Sequence, residues 1–159
     1  MAGGVMPTLW VTRGLPASGK TVWARERVES RPAGEVLRLS RDELRRMALP
    51  AGYHQPVEAV EHRVTIAQHA AVRALLTAGY DVICDDTNLC EAHLRAVVGI
   101  AHSVGAEVRI VDFTGVPVEE CIRRDAARPA RDHVGEVVIR QLYARYLAPG
   151  SPTVSGGGV

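Results

Sequence analysis

The stretch Gly14-Leu15-Pro16-Ala17-Ser18-Gly19-Lys20-Thr21 decides the fold class, because it fits the pattern G-x-x-x-x-G-K-[ST] at every fixed position. It follows a strand-like run, Thr8–Arg13, and it opens a run with helical character. A strand, a glycine-rich turn and a helix in this order form a loop whose backbone N–H groups can surround a phosphate. The sequence therefore predicts a nucleoside triphosphate at this loop.

The side chains of the loop suit that ligand. Small residues let the backbone approach an anion, and the N-terminal end of the following helix adds partial positive charge. The ammonium of Lys20 can reach the β- and γ-phosphates, and the Thr21 hydroxyl can lie on Mg²⁺ or near it. Lys20 is also the single lysine among 19 basic residues. The predicted donor site comprises Gly14, Pro16, Ala17, Ser18, Gly19, Lys20 and Thr21.

Beyond this loop the chain alternates strand-like and helix-like segments. We predict strands at 8–13, 35–39, 80–84 and 107–113, and helices at about 20–30, 40–47, 57–78, 91–104, 117–127 and 134–147. The alternation predicts an α/β fold, with an open, mostly parallel sheet covered by helices on both faces. We expect one domain at 1–150 and a disordered Gly/Ser tail at 151–159.

The composition is that of an ordinary globular chain. Hydrophobic residues make up 47% and charged residues 23%, and the formal net charge is +1, which excludes wholesale disorder. The apolar runs are too short to span a bilayer, and we see no secretory signal. Three scattered cysteines form no Cys-x-x-Cys pair, so we expect neither disulfides nor structural zinc, and a cytoplasmic location.

The segment 40–46, Ser-Arg-Asp-Glu-Leu-Arg-Arg, follows the second predicted strand. Asp42 and Arg45 share one helical face there. An acid beside the phosphate loop could accept a proton from an attacking hydroxyl, and the arginine could hold an anionic group of the same acceptor. The spacing fits equally well a surface pair that stabilises the start of a helix. Ser40 and Glu43 have the spacing of a capping box.

A third polar segment, Asp85-Asp86-Thr87-Asn88, ends an apolar strand. An acid at such a position commonly orients Mg²⁺ or its water. Successive side chains of a strand point to opposite faces, so we expect only one of the two acids to face the metal. Asp85, together with Thr21, is the candidate metal ligand; Thr87 and Asn88 could instead cap a helix. In a parallel sheet all three loops fall along one edge.

Four arginines follow late in the chain: Arg123, Arg124, Arg128 and Arg131. In phosphoryl transfer, arginines on a mobile segment can close over the donor and neutralise charge on the transferring group. A solvated helix face, with Glu119 and Glu120 as partners, explains the pattern equally well.

Together these segments resemble the phage-type polynucleotide 5′-kinase family, the kinase half of polynucleotide kinase-phosphatases. The resemblance extends from about Leu9 to Leu147. It implies a P-loop kinase fold with an Arg-containing lid, ATP as the donor with Mg²⁺, and the 5′-hydroxyl end of DNA or RNA as the acceptor. Its motifs are the glycine-rich loop, Ser40-Arg41-Asp42-x-x-Arg45, Asp86-Thr87-Asn88-Leu89, and Val116-Pro117 followed by Arg124 and Arg128.

The resemblance also implies roles for single residues. Asp42 would be the general base, with Lys20 and Arg128 acting on the transferring group. Arg45 would hold the phosphate on the 3′ side of the acceptor nucleotide. Arg124 and Arg128 would form the lid over ATP, and the acceptor site would include Asp86, Thr87 and Asn88. P-loop kinases of small molecules, such as zeta-toxin-like and antibiotic phosphotransferases, share the first motif and the acid, and Arg45 is the main feature that favours a polynucleotide.

Overall fold

The computed structural model describes residues 6–50 and 58–151, and in this part of the chain four strands form one sheet. They are β1 (Thr8–Arg13), β2 (Val36–Leu39), β3 (Asp81–Cys84) and β4 (Glu107–Asp112). Their order is β2-β3-β1-β4, and every neighbouring pair is parallel. The prediction of a mostly parallel sheet is confirmed, since all of these pairs are parallel.

The helices follow the predicted order with ends shifted by one or two residues. They are α1 (Lys20–Glu29), α2 (Arg41–Ala48), α3 (Glu58–Thr77), α4 (Glu91–Ser103), α5 (Val118–Ala126) and α6 (Glu136–Tyr146), with a short 3-10 turn at Ala130–Asp132. None of the helices within residues 6–50 and 58–151 is long and apolar enough to cross a membrane. Residue 57 of the predicted long helix and residues 152–159 of the predicted tail lie outside the described residues.

Helices cover both faces of the sheet, as predicted. On one face, α3 and α4 pack through Val72, Leu76 and Val97 against strand residues that include Leu9 and Val82. On the other face, α1 packs through Ala24 against Val36 and Ile83. Val82 and Ile83 are adjacent on β3 and enter different clusters, as the alternation of side chains along a strand requires.

A third apolar cluster joins the last two helices to the loops at the sheet edge. Cys121 of α5 and Ile139 of α6 are fully buried against Leu15 and Leu89. Leu15 belongs to the glycine-rich loop, and Leu89 follows β3. This packing holds the arginine-containing segment between α5 and α6 next to the predicted donor site.

The buried face of α3 corrects the predicted one. We predicted a stripe at Val60, Val64, Ala67, Ala71, Leu75 and Ala78. The structure buries Val60 and Val64 and then Gln68, Val72 and Leu76. The prediction is wrong for Ala67 and Ala78, which are exposed, whereas Leu75 still packs against the core while partly buried. The physical reason is a polar contact. The side-chain amide of Gln68 donates a hydrogen bond to Asp86, which places Gln68 and the residues one and two turns after it on the buried face of α3.

The predicted capping box at the start of α2 is also wrong. Ser40 occupies the cap position, but its side chain makes no capping hydrogen bond. Glu43 pairs instead with Arg38 of β2, at 2.7 Å between Oε1 and Nη1. The backbone N–H of Arg41 donates to the carboxylate of Asp86, at 2.7 Å. A residue 45 positions along the chain therefore caps this helix.

Candidate active site

The glycine-rich loop adopts a backbone that only small residues allow. A Cβ on Gly14 would lie 2.9 Å from both Phe113 Cβ and Ser18 Oγ. Ala17 and Gly19 have φ angles of 61° and 107°, in the left-handed region that favours glycine. Gly14 N donates to the carbonyl of Thr87 at 2.9 Å. The loop is thereby fastened to the segment after β3, and α1 begins immediately behind it.

Lys20 lies inside this loop. Its side chain is almost fully buried, and Nζ donates to the carbonyl of Leu15 at 2.5 Å and to Ser18 Oγ at 3.3 Å. Burial lowers the pKa of Lys20 to about 8, and the nearby carboxylate of Asp85 opposes that shift. The ammonium is therefore held among backbone groups at the N-terminal end of α1, where a phosphate is stabilised.

The two acids after β3 serve different sides of the edge. Asp85 is 5% exposed; its Oδ2 accepts from Arg38 Nε at 2.7 Å, and its Oδ1 has no hydrogen-bond partner among the described residues. A buried carboxylate oxygen without a donor, close enough to Lys20 to influence its pKa, is a suitable ligand for Mg²⁺ or its water. Asp85 therefore fits the metal, and Thr21 as a second group that would hold it stays a prediction.

Asp86 faces the other way. Its carboxylate accepts from the backbone N–H of Arg41 and, at 2.6 Å, from Gln68 Nε2. Burial raises the pKa of Asp86 to about 6, and these two hydrogen bonds oppose the shift. The side chain of Asn88 donates to the carbonyl of Thr12 at 2.8 Å and so ties the segment to β1. Contact of Thr87 and Asn88 with an acceptor stays a prediction.

A cavity of about 160 Å³ opens between α2, α3, α4 and the segment after β3. Asp42 and Arg45 lie on its wall, and Asp42 is 76% exposed. The lining also includes His69 and His93. Its lining also includes Asp86, Thr87 and Asn88, so the predicted acceptor residues do line one cavity. Thr87 accepts from Gly14 of the glycine-rich loop, which makes the cavity the neighbour of the predicted donor site.

Arg45 pairs with Asp42, as the surface-pair alternative predicted, and with Glu61, which sequence reasoning missed. Glu61 of α3 binds it in a fork, with Oε1 at 2.5 Å from Nε and Oε2 at 2.8 Å from Nη2. Arg45 Nη1 also donates to Asp42 Oδ1 at 2.6 Å. The same Glu61 accepts from Arg41 Nη2 at 3.1 Å. These hydrogen bonds, chiefly the one from Arg45, lower the pKa of Glu61 to about 2.

Two of the four late arginines approach the glycine-rich loop. Arg124 Nη1 donates to the carbonyl of Ser18 at 3.3 Å. Arg128 and Arg124 both line a second cavity of about 470 Å³ beside Ala17 and Gly19. Arg123 and Arg124 both pair with Glu120, and Arg131 pairs with Asp132. The solvated helix face therefore also describes Arg124, which in addition contacts the glycine-rich loop.

Asp125 anchors the segment that carries Arg128. It is 3% exposed at the end of α5, and it accepts from the backbone N–H groups of Val134 and Gly135, the latter at 2.9 Å. Neither Asp125 nor Glu61 was predicted. Asp125 lies three residues before Arg128, which is also the spacing of a surface pair, and Glu61 has no basic residue one turn away in the sequence. Its partners, Arg41 and Arg45, come from another helix, so no local signal could have found it.

Comparison with known proteins decides the family. The sequence profile described as AAA domain matches residues 9–149. The chain belongs to this family of P-loop kinase domains. No curated protein sequence matches the chain significantly.

Solved structures similar to this AAA domain include two of complexes of Pnkp1, Rnl and Hen1, the second described as an RNA repair complex. The first is 30% identical in sequence, and the aligned region covers 79% of this chain and 40% of the matched chain, with a TM-score of 0.66. The second is 27% identical and covers 90% of this chain and 45% of its own, with a TM-score of 0.70. The AAA domain described here therefore spans less than half the length of those chains.

Chaetomium thermophilum Kti12, solved with ADP-AlF3, is 24% identical; it covers 89% of this chain and 81% of its own, with a TM-score of 0.63. At that identity the likeness shows the fold alone. The fold is that of P-loop kinases, as the resemblance implied.

Proposed function

We propose that this domain transfers the γ-phosphate of ATP to the 5′-hydroxyl end of DNA or RNA. One observation carries the proposal: Asp42 and Arg45 lie together on the wall of a cavity that borders the glycine-rich loop through the Thr87–Gly14 hydrogen bond. A carboxylate and an arginine placed one turn apart can accept a hydroxyl proton and hold an anionic group of the same acceptor.

Each group then has a task in the transfer. The loop amides and Lys20 hold the triphosphate, while Arg124 and Arg128 neutralise charge on the transferring group. Asp42 accepts the proton of the 5′-hydroxyl while the hydroxyl oxygen bonds to the γ-phosphorus. The bond between that phosphorus and the oxygen of the departing ADP breaks. Thr21 and Asp85 would hold Mg²⁺, which supplies positive charge to the phosphate oxygens when bound.

The charge of the molecule supports an acceptor that is gripped at one end. A formal net charge of +1 gives little non-specific attraction to the phosphates of a long duplex. The cavity of about 160 Å³ offers room for part of one terminal nucleotide. Two of the similar solved structures are complexes of Pnkp1 with Rnl and Hen1, and one of them is described as an RNA repair complex. This similarity also favours a nucleic-acid acceptor.

The second candidate is a P-loop kinase that phosphorylates a small-molecule hydroxyl. The fork of Glu61 on Arg45 favours it, since the guanidinium edge that would grip a phosphate most strongly already has a carboxylate partner. A neutral acceptor rich in hydroxyl groups could donate to Asp42 and Glu61 without displacing either ion pair.

Transfer of label from γ-labelled ATP distinguishes the candidates. We would offer 5′-hydroxyl oligonucleotides of DNA and of RNA, and separately a panel of small alcohols and antibiotics. Label on an oligonucleotide supports the proposal, and label confined to small molecules selects the alternative. Release of inorganic phosphate alone contradicts both. The Lys20→Met variant, prepared in parallel, controls for contaminating kinases.

A further inference from the structure

The cavity beside Asp42 contains more negative than positive charge. Of the described residues that line it, Arg41 and Arg45 are cationic, whereas Asp42, Glu61 and Asp86 are carboxylates. Burial lowers the pKa of His69, which disfavours a positive charge on that imidazole. His93 also lines the cavity. A site built to attract a strongly anionic group would instead carry an excess of arginine or lysine.

Glu61 is the carboxylate that pairs with both arginines of the cavity and so offsets their positive charge. It bonds to both arginines, with a fork to Arg45 and a contact of 3.1 Å to Arg41 Nη2. Its side chain is only 31% exposed, so its charge is partly shielded from water. The fork uses Nε and one hydrogen of Nη2, and Asp42 uses one hydrogen of Nη1. One hydrogen on each terminal nitrogen of Arg45 is left for an acceptor group.

An acceptor phosphate that uses those hydrogens comes near Glu61, and its charge then matters. A phosphodiester carries one negative charge, whereas a phosphomonoester carries about 1.5 to 2 at neutral pH. Two like charges at contact distance repel each other, and they repel more strongly in a partly buried site than in water. The second charge of a monoester therefore meets repulsion from Glu61 that a diester largely avoids.

We propose that Glu61 is a specificity-determining residue that selects acceptors with a singly charged phosphodiester on the 3′ side of the reacting nucleotide over those with a doubly charged 3′-phosphomonoester. The inference rests on the proposed transfer to 5′-hydroxyl ends. It means that the site takes the end of an oligonucleotide in preference to a free nucleoside 3′-monophosphate.

Three small acceptors with the same 5′-hydroxyl group test the inference: thymidine, its 3′-methylphosphate and its 3′-monophosphate. At pH 7.5 we expect the wild-type protein to have a higher kcat/KM for the methylphosphate than for the monophosphate. Glu61→Gln keeps the size of the side chain and one acceptor oxygen but removes the charge, so the ratio should move toward the monophosphate by about tenfold. The matched control Glu58→Gln changes an exposed carboxylate of the same helix and should leave the ratio unchanged.

Two further measurements keep the test decisive if Glu61→Gln folds poorly. Glu61→Asp retains the charge and should retain the wild-type order of acceptors. In the wild-type protein, the monophosphate should gain on the methylphosphate as the pH falls from 7.5 to 5.5, because its second charge is lost near pH 6.

The outcomes separate the two proposals. Transfer to the acceptors with no preference for the diester, or an equal effect of Glu61→Gln on all three acceptors, overturns the inference and leaves the polynucleotide kinase proposal standing. No transfer to any of the three acceptors or to oligonucleotides overturns both.

Discussion

Asp42 and Arg45 lie one turn apart on α2, yet their surroundings differ. Asp42 is 76% exposed, whereas Arg45 is held on two sides by carboxylates. An exposed carboxylate can meet an incoming hydroxyl directly, and an arginine fixed by a fork loses little freedom when it binds an acceptor. At the scale of single residues, the proposed base is accessible and the proposed anchor is already oriented.

Replacement of that base tests its role. Asp42→Asn should lower the rate of transfer by about 10² to 10⁴, the usual contribution of general base catalysis, and should leave the affinity for ATP unchanged. Rates would be measured with a 5′-hydroxyl oligonucleotide, and affinity by titration calorimetry.

Glu43→Gln is the matched control for Asp42→Asn. Glu43 lies on the same turn but pairs with Arg38, and glutamine can still accept from that arginine. Near-normal turnover of Asp42→Asn would remove Asp42 from the proposed mechanism, whereas an equal loss in both variants would indicate a disturbed helix α2.

At the scale of elements, α2 and the segment between α5 and α6 are held in place by acids from elsewhere. Asp86 accepts from the first N–H of α2, and Asp125 accepts from the backbone just before α6. Asp125 is buried, and Asp86 is half-buried. Local capping signals therefore contribute less here than contacts between elements.

The start of α2 gives a direct test of this difference. Ser40→Ala should change the free energy of unfolding by less than about 0.5 kcal/mol, because the Ser40 side chain makes no capping bond. Loss of a functional N-cap costs about 1 kcal/mol. Urea unfolding measures the difference, and a loss of about 1 kcal/mol or more would show that the Ser40 side chain does cap the helix.

The segment before α6 should loosen when its anchor is removed. Asp125→Ala leaves the N–H groups of Val134 and Gly135 without their partner, at a cost of about 2 kcal/mol. Because Pro129 follows Arg128 and blocks trypsin there, we expect trypsin to cleave after Arg131 about tenfold faster, together with a higher KM for ATP.

Glu136→Ala serves as the control for that digestion. Glu136 lies in the first turn of α6, and its ion pair with Arg140 is exposed. Equal cleavage rates in the wild type, Asp125→Ala and Glu136→Ala would show that the segment does not depend on Asp125.

At the scale of the whole molecule, the sheet edge concentrates ionisable groups at low exposure. Lys20, Asp85 and Asp86 lie within reach of one another's charge. Burial shifts the pKa of Lys20 down and that of Asp86 up, so both shifts disfavour the charged form and reduce stability at neutral pH. A site with this property sacrifices stability for function.

The pH dependence of unfolding should report the cost of Asp86. Its pKa is about 6 in the folded protein against 3.8 as its ordinary value, so between these limits the folded state binds more protons. Its contribution to stability is therefore full below pH 3.8 and is lost as the pH rises through 6, by about 3 kcal/mol in total.

Asp86→Asn lacks this titration. As the pH rises from 4 to 7, the variant should gain stability relative to the wild type. Urea unfolding at each pH measures this difference in the free energy of unfolding. A difference that stays constant with pH would contradict the shifted pKa of Asp86.

The sequence by itself determined the phosphate loop, the alternation of strands and helices, and the edge at which the three polar loops meet. These features follow from local spacing, because hydrophobic periodicity and a short glycine pattern act between residues close in the chain. For the same reason Asp42 and Arg45 could be assigned to one helical face.

The contacts of those residues could not be read from the sequence, because their partners lie far away along the chain. Glu61 lies 16 positions from Arg45, and Asp86 lies 45 positions from Arg41; both pairs form only when α3 and the end of β3 pack against α2. The buried face of α3 also depends on a contact between distant residues, because the side-chain amide of Gln68 donates a hydrogen bond to Asp86. Long-range packing sets the burial of each charge, and burial separates a surface ion pair from a group that controls the site.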